Sequence, residues 1–250
     1  MREGTSREAR KQPKIYAHRG ASSNFPQHTL QAYLEAIEQG ADGFECDVRL
    51  TKDGVAIVWH DFDMKRATEA RFLGTIADLT FSEICNHYPA VMKLSGLLDL
   101  AILYRKDLAI ESKHPVPSGH QIEKEIAREL NSKREEIEAS GIKIYVMSFS
   151  WLALEFFNRI DLSIEVGLVM LLRSRFSSPY RRFTSAQSFA PSIALFKKNR
   201  SCFRRALEDG RQLFVWTVDQ SADINLCVES GVDVIITNKP GRARKVLGYP

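Results

Sequence analysis

No stretch of the chain approaches the ~20 consecutive apolar residues that a membrane-spanning helix needs. The longest apolar piece, Val166 to Leu172, is short enough to be one buried strand running into a loop. The first dozen residues are charged and lack an apolar core segment, so no secretory signal is expected. Cysteine is scarce: Cys46, Cys85, Cys202 and Cys227 stand far apart, with no CxxC pair. That spacing argues against a disulfide framework and for reduced thiols in a cytoplasmic protein. A strong charge bias is also missing. Lys and Arg number 35 against 31 Asp and Glu, a net +4 spread along the chain, so no nucleic-acid partner is expected.

What remains is a globular composition. The hydrophobic fraction of 44% is enough for a full core. A length of 250 residues is long for one ordinary domain but usual for a single α/β barrel. Residues 1–12 read as a flexible N-terminal tail and residues 13–250 as one domain.

Along the chain, short β-rich runs alternate with helical patterns. Strands are expected at 15–19, 43–48, 107–112, 143–149, 164–170, 188–193, 212–218 and 232–237. Helices are expected from Thr29 to Gly40, after Thr80 (a capping box with Glu83), near 97–104, and over 121–139, 151–159, 197–208, 222–229 and 241–246. The segment from Arg173 to Gln187 has no clear pattern. Eight strands, each followed by something helical, imply a parallel sheet covered by helices. At this length, a closed (β/α)8 barrel of the TIM type fits better than an open sheet. A β-hairpin excursion is expected after the second strand, because Asp53-Gly54 between apolar runs is a tight-turn signal. With Asp53-Gly54 as the two turn residues, Thr51 pairs with Ala56 and Asp47 with His60.

In such barrels chemistry sits at the carboxyl ends of the strands. Strand one ends in His18-Arg19, strand two carries Glu45 and Asp47, strand three Glu111 and Lys113, strand four Ser148, and strand seven Trp216. Glu45 and Asp47 are two apart, as are Glu111 and Lys113, so each pair shares a strand face. Cys46, between two of them, points the other way. Taken alone, two carboxylates on a strand are better explained by a solvated polar face. Three carboxylates, two imidazoles, an Arg and a Lys gathered at one mouth are not. Three carboxylates repel unless a cation joins them, and oxygen ligands suit Mg²⁺ or Ca²⁺. Arg19, Lys113 and such a cation suit a phosphate oxygen. His28, His87, His114 and His120 read as helix-start or surface residues.

The same residues carry a family likeness. His18-Arg19-Gly20, Glu45-x-Asp47-Val48, Thr51, Asp53-Gly54, His60-Asp61, Glu111-x-Lys113, Ser148-Phe149, Val215-Trp216-Thr217-Val218 and Gly231-Val232-Asp233 to Ile236-Thr237 resemble the glycerophosphodiester phosphodiesterases in order and spacing, from Ile15 to Pro240. The resemblance implies a metal-dependent hydrolase that cuts a small-molecule glycerophosphodiester to glycerol 3-phosphate and an alcohol. It implies Glu45, Asp47 and Glu111 as metal ligands for Mg²⁺ or Ca²⁺, and His18 and His60 as the acid/base pair. Arg19 and Lys113 become phosphate contacts, and Trp216 an aromatic at the glycerol end. The chain departs from the family pattern at Pro26-Gln27-His28-Thr29, where Pro-Glu-Asn-Thr is usual, at Asp219 in place of Asn, and at Ser95-Gly96-Leu97. The Gln27 departure motivates an alternative, a catalytically silent phosphate-ligand binding protein. The arginines between 173 and 182 motivate another, a lysophospholipase D-like activity at the same site. The released alcohol and the oligomeric state are not written in these motifs.

Overall fold

The computed structural model describes residues 12–173 and 184–249. Its ten strands run β1 (Lys14–His18), β2 (Gly43–Leu50), β3 (Ala56–Val58), β4 (Met92–Lys93), β5 (Asp107–Ser112), β6 (Ile144–Ser148), β7 (Val166–Leu172), β8 (Ser188–Pro191), β9 (Gln212–Val215) and β10 (Val234–Thr237). Eight of them are parallel neighbours in the order β1, β2, β5, β6, β7, β8, β9, β10, and β10 pairs back onto β1. The sheet is therefore a closed (β/α)8 barrel, as expected. Closure leaves no barrel strand with an unpaired edge. β3 and β4 hang antiparallel from β2 as the excursion.

The described helices are α1 (Leu30–Glu38), α2 (Phe81–His87), α3 (Leu94–Leu103), α4 (Gln121–Ser132), α5 (Arg134–Ser140), α6 (Trp151–Phe157), α7 (Ile193–Lys198), α8 (Arg200–Glu208), α9 (Ser221–Glu229) and α10 (Pro240–Leu247). Thr29 caps α1 by accepting from the Ala32 amide, and the Thr80–Glu83 capping box opens α2. The single helices expected over 121–139 and 197–208 are each two. The chain leaves helical geometry at Lys133 (φ −116°) and at Asn199 (φ −132°).

Strand alternation sorts side chains into two cores. Outward residues such as Phe44, Cys46, Val48, Leu108 and Ile110 are buried under the helices. Inward residues Tyr16, Tyr145, Phe214, Met147 and Val169 fill the barrel. Tyr145 and Phe214 meet edge to face at 5.0 Å, and the Tyr16 hydroxyl donates to Asp107 at 2.7 Å at the amino end. This packed floor leaves the opposite end for polar groups.

The hairpin register differs from the expected one by a residue: Leu50 pairs with Ala56, Arg49 with Ile57 and Val48 with Val58. The cause is a longer turn. Thr51 Oγ1 donates to Asp53 (2.6 Å) and accepts from the Val55 amide (2.9 Å), so residues 51–55 form the loop, with Gly54 at φ +78°. A one-residue shift changes every cross-strand partner. Asp47 now lies opposite Trp59, whose amide donates to the Asp47 carbonyl at 2.8 Å. His60 is therefore not a ladder partner of Asp47. It reaches the mouth from the segment after β3.

Candidate active site

Register brings the carboxylates together. His18 is the neighbour of Glu45 across β1 and β2, and Asp47 is the neighbour of Glu111 across β2 and β5. One oxygen from each of Glu45, Asp47 and Glu111 lies within 4.8 Å of the others, and all three residues are buried. Lys113 Nζ sits between two of them, 2.5 Å from Asp47 Oδ1 and 2.6 Å from Glu111 Oε1. Arg19 Nε is 2.8 Å from Asp47 Oδ2, and its Nη1 donates to Gln27 Oε1 at 3.0 Å. Gln27 thus still orients Arg19, with a neutral acceptor in place of the family's carboxylate.

Three carboxylates against two cations leave one negative charge in excess. The strain shows in the protonation preferences. Burial, and then the Asp47 charge, push Glu45 well above the usual carboxylate range and Glu111 up to about 7. Burial also acts against ionised Asp47, but the hydrogen bond from His28 and the Arg19 and Lys113 charges hold it well below that range. Glu45 Oε2 is buried without a hydrogen-bond partner, and Asp47 Oδ1 has only the Lys113 ion-pair contact. Unpartnered buried oxygens facing one another are what a hard divalent cation satisfies. The donor set therefore suits Mg²⁺ or Ca²⁺.

The histidines are held by hydrogen bonds that fix which nitrogen is free. Burial lowers His18 to about 4, so the ring is neutral near pH 7. Asn238 donates its amide to Asp219 Oδ2 at 2.7 Å, which fixes its oxygen toward His18 Nδ1, also at 2.7 Å. His18 therefore carries its proton on Nδ1, and Nε2, 3.9 Å from Glu45 Oε2, is left as an acceptor. His60 is likewise lowered by burial, and its Nδ1 lies 2.7 Å from Asp61 Oδ1, while Asp61 Oδ2 pairs with Arg66 Nε at 2.7 Å. A cavity of about 610 Å³ is lined by His18, Arg19, His28, His60 and Asn238. A much smaller space next to it, shared by His18 and Arg19, touches Glu45, Glu111, Phe149, Arg173 and Trp216.

Of the residues expected at this mouth, Glu45, Asp47, Glu111, Lys113, His18, Arg19, His60 and Trp216 all line these spaces or join the ion pairs around them. Trp216 donates its indole N–H to the Ala190 carbonyl at 2.8 Å and meets Phe149 edge to face at 5.7 Å. The Arg173 guanidinium lies 4.2 Å over Phe149. Arg175, Arg181 and Arg182, from the same stretch, lie outside the described residues. Ser148 does not face the mouth. Its hydroxyl donates sideways to the Ser112 carbonyl at 3.0 Å, and inward-facing Met147 takes that place.

Sequence reasoning missed two residues. His28, expected only to start a helix, is buried. Its ring, lowered to about 4 by burial, donates from Nε2 to Asp47 Oδ2 (2.9 Å) and accepts at Nδ1 from the Tyr33 hydroxyl (2.9 Å). Nothing local signals this, because the loop folds back through left-handed backbone at Arg19 and His28 (φ +61° and +63°). Asn238 had a signal: it directly follows β10, at the carboxyl end where barrel chemistry gathers. The loop also explains the glycine of His18-Arg19-Gly20. Gly20 has φ +81°, and a Cβ there would lie 2.6 Å from the Ala32 backbone of α1.

Comparisons with known proteins agree with this geometry. A Mycobacterium tuberculosis protein named "Probable glycerophosphodiester phosphodiesterase 1" is 31% identical over 94% of this chain and 92% of its own length. A Caldanaerobacter subterraneus protein named glycerophosphodiester phosphodiesterase is 29% identical over 90% and 94%. Among solved structures, an Oleispira antarctica phosphodiesterase in complex with the product sn-glycerol-3-phosphate superposes with a TM-score of 0.78 at 19% identity, covering 95% of this chain and 97% of that one. The Thermotoga maritima glycerophosphodiester phosphodiesterase gives 0.75 at 22%, covering 94% and 99%. The model of the glycerophosphoryl diester phosphodiesterase family matches residues 18–242, so this chain is a member of that family and an enzyme of its kind.

Proposed function

We propose that the protein hydrolyses glycerophosphodiesters to glycerol 3-phosphate and an alcohol at this mouth, with a divalent cation held by Glu45, Asp47 and Glu111. The observation that carries the reading is the buried, unpartnered Glu45 Oε2 beside two further carboxylates and beside His18 Nε2. When bound, a cation such as Mg²⁺ or Ca²⁺ draws charge from a phosphoryl oxygen.

Arg19 and Lys113 bind the phosphate oxygens, and the ion pairs to Asp47 and Glu111 set their direction. His18 Nε2, free because Asn238 holds the other nitrogen, takes a proton from the attacking water as its oxygen bonds to phosphorus. His60 gives a proton to the leaving alkoxide. Their partners support this assignment: the Asp61 carboxylate favours a protonated imidazole, which offsets part of the effect of burial on His60, whereas the Asn238 amide carries no charge. Phe149 and Trp216 form an apolar wall for the glycerol carbons. The four cysteines are free, which supports a cytoplasmic location.

The test is a coupled glycerol 3-phosphate assay on glycerophosphocholine and related diesters. Turnover is expected to disappear with EDTA and return with Mg²⁺ or Ca²⁺, and to be lost in His18→Ala and Glu45→Gln. Binding of glycerol phosphate without turnover of any diester would instead favour the silent-binder alternative. Faster turnover of lysophosphatidylcholine than of glycerophosphocholine would favour the lysophospholipase D-like one.

A further inference from the structure

A second group of ligand atoms lies outside the carboxylate site, where β5 hands over to α4. Glu123, in the first turn of α4, is fully buried. His114 Nε2 lies 2.7 Å from its Oε1, and His120 Nδ1 lies 3.4 Å from its Oε2, which has no hydrogen-bond partner. One ligand atom from each of the three residues falls within 4.8 Å of the others. The His120 ring is stacked on Phe156 of α6, with centroids 4.2 Å apart and planes at 6°, so its direction is fixed by packing.

We propose that His114, His120 and Glu123 bind a divalent transition-metal ion of the zinc class. Two imidazole nitrogens and one carboxylate oxygen suit a borderline-soft ion rather than Mg²⁺ or Ca²⁺. Metal–ligand distances of about 2.0–2.1 Å in a tetrahedral site place ligand atoms about 3.3 Å apart. The separation of His120 Nδ1 and Glu123 Oε2 is already close to that. The His114–Glu123 contact opens slightly as the ion replaces the shared proton, which moves to the other ring nitrogen or to solvent. A buried carboxylate oxygen with no hydrogen-bond partner, aimed at a half-exposed imidazole, is an anchor facing an entry path. Solvent or a small ligand would take the fourth position. Bound there, the ion ties the loop after Lys113 to α4, and so braces the strand end that presents Lys113 to the phosphate site.

The experiment uses the full chain, freed of metal by chelation and held in excess Mg²⁺ to occupy the three-carboxylate site. Co²⁺ is then titrated while the visible absorption is recorded, and Zn²⁺ is added in competition. One equivalent of Co²⁺ is expected to give the intense bands of a four-coordinate site, bleached by Zn²⁺. His120→Asn keeps a polar side chain there but is a poor ligand, and is expected to weaken that binding by roughly tenfold or more. His114→Gln should do the same, whereas Glu45→Gln should leave the bands intact. Absence of the bands in the wild-type chain, or bands unchanged in both histidine variants, would overturn the proposal.

Discussion

Asn238 Oδ1 lies 2.7 Å from His18 Nδ1, and the same amide is locked from behind by Asp219. Three side chains from β1, the end of β10 and the loop after β9 thereby decide which nitrogen of the His18 imidazole is left free. Ser22 Oγ also donates to this amide oxygen at 2.8 Å, so the oxygen cannot rotate away without losing two partners.

Asn238→Leu removes the acceptor and frees the ring to adopt the other tautomer. The expected result is a fall in kcat of about 10²-fold with little change in KM, since no phosphate contact is lost. Asp219→Ala should give a smaller loss in the same direction. Steady-state kinetics on glycerophosphocholine measures both, and a change confined to KM would argue against the positioning role.

Glu45→Gln tests the unpartnered oxygen from the stability side. The wild-type chain buries a carboxylate whose Oε2 is satisfied by no hydrogen bond. In the presence of a chelator, the variant should therefore unfold at an equal or higher temperature than the wild type. With Mg²⁺ present the order should reverse, because only the wild type gains binding energy from the ion. Thermal melts with and without the ion read both arms.

Gly20→Ala should be costly for a local reason. The residue sits at φ +81°, and the new methyl would meet the Ala32 carbonyl carbon at 2.6 Å. A loss of about 2 kcal/mol or more is expected from the strain and the displacement of α1. Urea unfolding measures it. Activity should fall with it, because Arg19 and His28 flank the same turn.

The thiol of Cys227, buried in α9, is pushed up to about 12 by burial. Below pH 9 the thiol is protonated in folded and unfolded chains alike, so it contributes no pH dependence there. Between pH 9 and 12 the unfolded chain loses this proton and the folded chain keeps it, so stability falls as pH rises. The three-unit gap corresponds to at most about 4 kcal/mol. Cys227→Ala should cost about 1 kcal/mol near pH 7 but flatten the alkaline decline, seen as denaturation midpoints that converge and then cross with the wild type.

The eight strands were legible in the sequence because each is a short β-rich run bounded by turn residues. The inward set Glu45, Asp47, Glu111 and Lys113 was legible because a period of two needs only local backbone geometry. The outward direction of Cys46 follows from the same rule. The strand at 107–112 stands where it was expected, while other strand ends moved by one to three residues, as with β9, which stops at Val215 rather than Val218. The hairpin register was misjudged because Asp53-Gly54 signals a tight turn, whereas the Thr51 side chain captures Val55 and lengthens it.

Chain chemistry alone determined the barrel and the composition of its mouth, since alternation and strand-end placement are properties of neighbours in sequence. Only the folded molecule decided how those groups are wired. His28 reaches Asp47 across nineteen positions and Asn238 reaches His18 across two hundred and twenty. Such contacts depend on loop direction and barrel closure, and no local pattern encodes either.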